Sequence, residues 1–410
     1  MSRIDASIAK LCPTGVAFKT LGDVGTFFRG TGLQKKDFTS AGVGCIHYGQ
    51  IHTHYGTWAT TTKTFVDPEL AKRLRRARTG DLVIATTSED DEALGKAVAW
   101  LGSGEIAVSG DAYIYRHSLE PKFMAYFFQS DQFHTQKKSH ITGTKVRRVS
   151  GESLAKIRIP IPPLEVQREI VKVLDNFIKL EAELEAELEA RRRQYEYFCD
   201  ALLTLDLVGA SKARTAPWVT LSDVAEFQYG FTAKANDSGD YRLIRITDIT
   251  DTGKLTREAA KFVHPGANAA DYLVAPGDLL VARTGATFGK TVLIADPAPA
   301  IFASFLIRVK VNERKLLPGF YWHFAQSGSY WRQANRLVSR AGQPQFNANV
   351  LKTIELPLPA LEEQRRIVTI LDKFDAITND LSVGLPAELK ARRQQYEYYR
   401  DRLLTFKEAA

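Results

Sequence analysis

A chain of 410 residues, 44% apolar and 25% charged, is too long for one simple core, so two or three folded domains are expected. The net charge of +8 fits a polyanionic partner such as nucleic acid, although mild basicity also serves solubility. No apolar run is long enough for a membrane helix, the start lacks a secretory apolar region, and Cys12, Cys45 and Cys199 suit neither a disulfide framework nor a zinc site. A reduced, cytosolic protein is the expectation.

Residues 1–160 read as a mixed, strand-rich domain, and the first 163 residues carry a net +7. Short β-branched runs such as "DLVIATTS" and "AYIYRHS", bounded by Gly, Asp or Ser, are the strand signals. "CIHYGQIHTHY" (45–55) reads as a strand followed by a loop, with Tyr48, Gln50, His52 and His54 facing nucleic acid. As a metal site it has no accompanying ligand pattern beyond Cys45. "KRLRRARTG" (72–80) is a dense cationic cluster, either a backbone-binding patch or an exposed helix face. "FMAYFFQSDQF" looks helical and runs into the loop "KKSHITGTKVRRVSGES" (137–153). That loop offers Lys137, Lys138, His140, Thr142, Thr144, Lys145, Arg147 and Arg148, with Gly143 permitting close backbone approach to phosphates. A solvated surface loop would have the same composition.

Residues 161–206 change character, with a net charge of −4 over 164–205. Steps of four and three residues pick out Ile170, Leu174, Phe177, Leu184, Leu188, Tyr195, Phe198 and Leu202, a helical seam with a Glu-rich outer face. "PIPPL" marks the helix entrance, where proline is tolerated.

Residues 207–357 repeat the first pattern, with a net +5 over 206–360. Strand-like runs include "YRLIRITDI", "DLLVART", "KTVLIA" and "SFLIRVKV". Arg242 and Arg245 fall where the histidine-rich stretch falls in the first domain. "GATFGKT" has three residues between its glycines, where a phosphate loop has four, so a turn between strands is expected, with Lys290 at most touching a phosphate. "GFYWHFAQSGSYWRQA" looks helical, and the loop after it offers Arg336, Ser339, Arg340, Gln343, Gln345 and Asn347. Arg suits guanine O6 and N7, and Gln or Asn suits adenine N6 and N7.

Residues 358–410 form a second helical segment through Ile367, Leu371, Phe374 and Leu381. "SVGLPAEL" should break it near Gly384 and Pro386, after which Leu389, Tyr396, Tyr399 and Leu403 resume the stripe.

The two helical segments are copies. "IPIPPLEVQREIVKVLDNF" (159–177) and "LPLPALEEQRRIVTILDKF" (356–374) agree at eleven of nineteen positions. "ARRRQYEYFCDALLTL" (190–205) and "ARRQQYEYYRDRLLTF" (391–406) agree at eleven of sixteen. Fainter echoes are "TLGDV" with "TLSDV", and "GDLVIATTS" with "GDLLVARTG". The chain reads as a duplicated unit. Its helices are expected to pair antiparallel as a spacer ~63 Å long, at ~1.5 Å per residue. The other possibility is that each helix packs on its own domain.

The stretches "IPIPPLEVQREIVKVLD…ARRRQYEYFCDALL" and "LPLPALEEQRRIVTILD…ARRQQYEYYRDRLL", with "GDLLVARTGATFGK", resemble the specificity subunit of type I restriction–modification systems. The resemblance implies an α+β chain with an internal pseudo-twofold repeat: two target-recognition domains joined by an antiparallel coiled-coil helix pair. It implies that each domain reads half of a bipartite DNA site, while two modification (methyltransferase) subunits bind the helices and restriction subunits complete the complex. It also implies that the chain is not an enzyme and binds no cofactor, S-adenosylmethionine and ATP with Mg²⁺ belonging to the partners. Two other classes stay open on the residues alone: a scaffold whose basic domains bind acidic proteins, and a self-sufficient DNA-modifying enzyme.

Overall fold

The computed structural model describes residues 10–203, 216–256, 258–264, 270–295, 299–338, 344–380 and 383–409. Contacts divide the chain into two units, residues 1–183 with 390–410, and residues 184–389. The boundary cuts through the helical segments rather than between helix and domain. Each unit therefore holds one strand-rich domain, the start of the helix that follows it, and the end of the other helix.

In the first unit a five-stranded sheet runs in the order Gly25–Arg29, Ala112–His117, Leu82–Ala85, Ala97–Trp100, Trp58–Ala59. A second runs Phe38–Thr39, Thr64–Val66, Val43–Ile46, Ile106–Val108, Arg76–Ala77. The second unit has the same plan with fewer strands. One sheet is ordered Ala225–Tyr229, Leu306–Val311, Leu279–Ala282, Thr291–Leu293, and the other Lys261–Val263, Tyr241–Ile244, Ala300–Phe302. Leu82–Ala85 and Leu279–Ala282 are buried at every position, which is why each reads as an apolar run without alternation.

The sequence echoes have local causes. In "TLGDV" and "TLSDV" the carboxylates of Asp23 and Asp223 accept from the backbone N–H of Thr20 and Thr220, at 3.0 and 2.9 Å, closing a capping box in each repeat. In the "GDL" echo, Gly80 and Gly277 adopt φ of +93° and +94°, conformations that favour glycine. The aspartates after them, Asp81 and Asp278, pair with Arg116 and Arg308 on the adjacent strand.

The central helix spans Leu164–Leu203 without interruption. The C-terminal segment is two helices, Leu361–Asn379 and Leu385–Leu404, broken where Gly384 and Pro386 predict. In the first unit Phe177 stacks on Tyr399 at 5.5 Å and Glu181 pairs with Arg393 at 2.6 Å. Numbers rise along one helix as they fall along the other, so the two run antiparallel. In the second unit Phe198 stacks on Phe374 at 5.2 Å.

The seam needs one correction. Ile170, Leu174 and Leu403 are buried in the core of the first domain, with Tyr396 packed against it. Tyr195, Leu202, Ile367 and Leu371 are buried in the core of the second. Leu188 and Leu389 are also buried, Leu184 is half-buried, Tyr399 is 39% exposed, and Leu381 lies outside the described residues. Most of the stripe is thus buried in clusters that a domain shares with both helices, so the facing helix is only part of its cover. Heptad spacing reports which face is apolar and is silent on what covers it. Burying each Leu or Ile contributes about 1.5–3 kcal/mol.

Polar anchors fix the helices to the domains. The Gln of "EVQR" and "EEQR" is buried in both repeats. Gln167 accepts from the Glu120 N–H at 2.9 Å and donates to the Pro162 carbonyl at 2.8 Å. Gln364 accepts from the Leu317 N–H and donates to the Lys315 and Pro359 carbonyls, each at 2.8 Å. About two turns later the Tyr126 hydroxyl donates to Asp175 at 2.6 Å, and the buried His323 meets Asp372 at 2.8 Å. The far helix ends are pinned as well. Asp401 accepts from the Asp131 N–H at 2.9 Å, and Asp200 accepts from the Gly328 N–H at 2.8 Å. Each caps a helix of the domain that its own helix does not follow in sequence.

Two outcomes are expected. Gln364→Ala strands a buried N–H and two carbonyls and should cost about 2–3 kcal/mol in denaturant unfolding, whereas the exposed Gln395→Ala should change stability by less than about 0.5 kcal/mol. Asp401→Ala should speed amide hydrogen exchange within Asp131–Lys138 while leaving Gly328–Leu337 unchanged; equal exchange in the two helices would contradict the exchanged-end anchoring.

Candidate nucleic-acid interface

Two polar surfaces, one in each unit, occupy corresponding places in the repeat. In the first unit the strand Thr87–Ser88 pairs antiparallel with Arg147–Arg148. Thr142 and Arg148 exchange backbone hydrogen bonds at 2.9 and 2.8 Å around Gly143, whose φ is +88°. The Val149 N–H then donates to the Thr86 carbonyl at 3.2 Å, and Ser150 caps the helix Gly151–Ala155. The loop is an ordered turn welded to the end of a core strand. In the second unit Gln345 bridges Thr284, the Phe346 N–H donates to the Arg283 carbonyl at 2.7 Å, and Asn347 caps Ala348–Lys352. The closing bond to the strand end, from Val149 or Phe346, and the helix cap one residue later recur in both units.

Within this frame the expected residues separate into two groups. Lys138, Thr142, Thr144, Lys145 and Arg148 are exposed, and His140 is half-buried. Among the described residues, Lys138, Lys145 and Arg148 have no ion-pair partner, so their charge faces solvent. Arg147 is partly spent, pairing with Asp91 at 3.0 Å and donating to the Gly143 carbonyl at 2.8 Å. Lys137 is a correction: it belongs to the helix Asp131–Lys138 and is 1% exposed. Its ammonium donates to the carbonyls of Asp91, Glu92 and Leu94 and meets His134 Nδ1. Burial pulls its pKa down to about 8. It holds the 91–94 turn and cannot reach a ligand.

The histidine-rich stretch is also corrected. After the strand Val43–Ile46 comes a short helix, Tyr48–Thr53, rather than a loop. Gln50 makes the capping box of that helix, accepting from the His47 N–H at 3.0 Å and donating to Thr64 Oγ1 at 3.0 Å. His47 is buried, which lowers its pKa, and its Nδ1 accepts from the Gly49 N–H. His52 Nε2 lies 3.1 Å from the Thr87 carbonyl, bringing this helix beside the strand that pairs with Arg147–Arg148. Tyr48 is half-buried and His54 exposed. Among the described residues no group of three or more His, Cys, Asp or Glu could hold a metal ion.

In the second unit most of the predicted cations are committed internally. Arg245 pairs with Asp248 at 2.7 Å, and the Asp248 carboxylate also accepts from the Arg245 N–H at 2.8 Å, as Gln50 accepts from the His47 N–H at the matching place. Arg242 is half-buried, with its terminal nitrogen on the Thr256 carbonyl. Lys290 pairs with Asp251, and the "GATFGK" stretch is a turn between strands, with Gly285 and Gly289 at φ of +71° and +78°. Asn347 serves as a helix cap, its Oδ1 accepting from the Val350 N–H. Arg336, in the last turn of Gly328–Leu337, and Gln345 are exposed. Ser339, Arg340 and Gln343 lie outside the described residues. In "KRLRRARTG", Arg76 and Arg78 both pair with Glu105, and Arg75 donates to the Arg29 carbonyl.

The residue that sequence reading missed is Arg283. It follows the buried strand Leu279–Ala282 and lies over two half-exposed aromatic rings, Tyr229 and Phe305, at 5.1 and 5.5 Å. The available signal was a charged side chain at the end of an apolar strand, where the other repeat has Thr86.

Among the described residues no helix is long and apolar enough to cross a membrane. A family model described as the type I restriction modification DNA specificity domain matches residues 13–190 and again 217–391. The chain is 31% identical over 271 residues to the Escherichia coli type I restriction enzyme EcoR124I/EcoR124II specificity subunit, covering 63% of this chain and 65% of that protein. It is 30% identical over 284 residues to a putative type I specificity subunit, S.HindORF215P, of Haemophilus influenzae, covering 65% and 68%. The alignment thus spans just under two thirds of the Escherichia coli relative. In fold it is similar to a chain from a structure concerned with complex assembly and conformational transition of the type I R-M system, with a TM-score of 0.64, 20% identity and 96% and 98% of the two chains covered. It is also similar to the type I S subunit from M. genitalium, with a TM-score of 0.52, 13% identity and 95% and 96% covered. With one domain match falling on each half of an internally duplicated chain, this protein belongs to the type I restriction–modification DNA specificity family.

Proposed function

We propose that the chain is the DNA-reading subunit of a type I restriction–modification complex, each strand-rich domain reading one half of a bipartite duplex site. The observation that carries this reading is the paired frame: in both repeats the segment that returns from the loop is hydrogen-bonded to the same core-strand end and leads directly into the same helix cap. A loop that must present donors to base edges gains from such rigidity, because less conformational entropy is lost on binding. The exposed Lys138, Lys145 and Arg148 supply salt-sensitive affinity for phosphates, and the polar side chains between them supply selectivity. The chain contributes recognition and no bond-making. Modification subunits would methylate adenine from S-adenosylmethionine, and restriction subunits would cut using ATP and Mg²⁺.

The test is selection of random duplexes by the full chain co-expressed with the modification subunits of its own genome. Enrichment of a gapped motif is expected, with affinity falling steeply as salt rises. A protein-binding scaffold would enrich nothing, and methyl transfer by the isolated chain would reveal an enzyme instead. A second outcome concerns the Glu-rich run. Inserting four helical residues there lengthens the helix by about 6 Å, and the gap should change while both half-site sequences survive. A changed half-site would contradict the spacer role.

A further inference from the structure

The two repeats share a backbone frame at the strand end yet fill it with unlike side chains. The Arg283 N–H donates to the Phe305 carbonyl at 3.0 Å, as the Thr86 N–H donates to the Asp111 carbonyl at 3.1 Å. The third register-matched position is Tyr229 in one repeat and Arg29 in the other, each the last residue of the strand that opens its sheet. The first unit therefore presents Arg29, Thr86 and Asp111 where the second presents Tyr229, Arg283 and Phe305. A constant frame with three exchanged side chains is what reading two different sequences with one fold requires.

Arg283 is held with unusual completeness for a residue at the surface. Its backbone bonds both Phe305 and Phe346, and its Nε donates to the Ser304 carbonyl at 3.0 Å. Tyr229 is fixed in turn, its hydroxyl accepting from the Ala348 N–H at 3.1 Å. Tyr229 and Phe305 nonetheless remain 45% and 52% exposed. Among the described residues no carboxylate pairs with Arg283, and its two terminal nitrogens have no hydrogen-bond acceptor. Four N–H donors on a rigid planar fork thus lie unused between two aromatic rings.

We propose that Arg283 is a specificity-determining residue that reads a guanine through O6 and N7, with Tyr229 and Phe305 as its rigid flanks. The inference rests on the DNA-reading function proposed above. A fork with two adjacent donors matches the two adjacent acceptors that guanine shows in the major groove. Tethering through Nε leaves that fork little freedom to follow a phosphate, and flanking aromatics suit flat base edges or a thymine methyl. At the matching place the first domain has Thr86 buried and Asp111 as an acceptor, while its own arginine, Arg29, stands at the neighbouring strand end with its Nε donating to the Gly110 carbonyl at 3.0 Å, so the contact made from the Arg283 position belongs to the second half-site.

The experiment is the same duplex selection, run on the wild-type complex and on Arg283→Ala and Arg283→Gln. The expected result is loss of discrimination at one G·C pair in one half-site, about 5- to 150-fold, with the other half-site and the gap unchanged. The unchanged half-site also reports that the variant is folded. An unaltered motif overturns the inference, as does equal weakening on all sequences with a salt slope reduced by about one, which marks a phosphate contact. Weakening of both half-sites together with a lowered melting temperature also overturns it, since that marks a structural role. If the wild-type complex enriches no gapped motif, the proposed function itself fails, before any variant is compared.

Discussion

The structure depends on a buried amide. Gln167 and Gln364 each sit just inside the first turns of a helix, with nearly no exposed surface, and spend their side chains on backbone groups of the preceding domain. A buried amide that loses its partners is costly, so the helix can leave its domain in only one orientation. The prolines beside each glutamine act in the same joint, since the carbonyls of Pro162 and Pro359 take its N–H donors. The repeated sequence signature is therefore the chemistry of a joint. That explains why it recurs nearly unchanged while the domains before it diverge.

A second constraint follows from the helix ends. Asp401 caps a helix in the first domain and Asp200 caps one in the second, so each domain is held by the start of one helix and the end of the other. Within each unit the incoming helix end is fixed by its cap, which would break if that helix end rotated about its axis. The apolar faces agree with this: residues at the helix ends enter domain cores, and aromatic stacking at Phe177–Tyr399 and Phe198–Phe374 joins helix to helix. A recognition subunit benefits from such stiffness, since flexibility between a reading loop and its partners would have to be frozen on binding.

Against this rigid frame the candidate DNA surface is where the repeats differ. The same strand end, the same loop return and the same helix cap carry lysines and arginines in one unit and an aromatic-flanked arginine in the other. Several cations that look available turn out to be structural. Lys137 closes a turn from inside the core, Arg245 pairs with the buried Asp248, and Lys290 meets Asp251.

Much of the architecture was legible from the chain alone. The duplication, the long helices and the break at Gly384 follow from local properties: repeated motifs, period and helix-breaking residues. The strand runs were readable for the same reason. The roles of individual polar side chains were not, because a lysine, glutamine or asparagine in a basic loop has the same sequence appearance whether it faces solvent or a backbone carbonyl. The histidine-rich stretch became a helix because Gln50 closes a capping box with His47, a choice made by three-dimensional fit to Thr64. Sequence by itself determined which faces are apolar and where elements begin and end, since these depend on neighbours a few residues apart. Only the tertiary structure decided what covers those faces and which charges stay free, since both depend on groups distant in the sequence, as Asp91 is from Lys137 and Arg147.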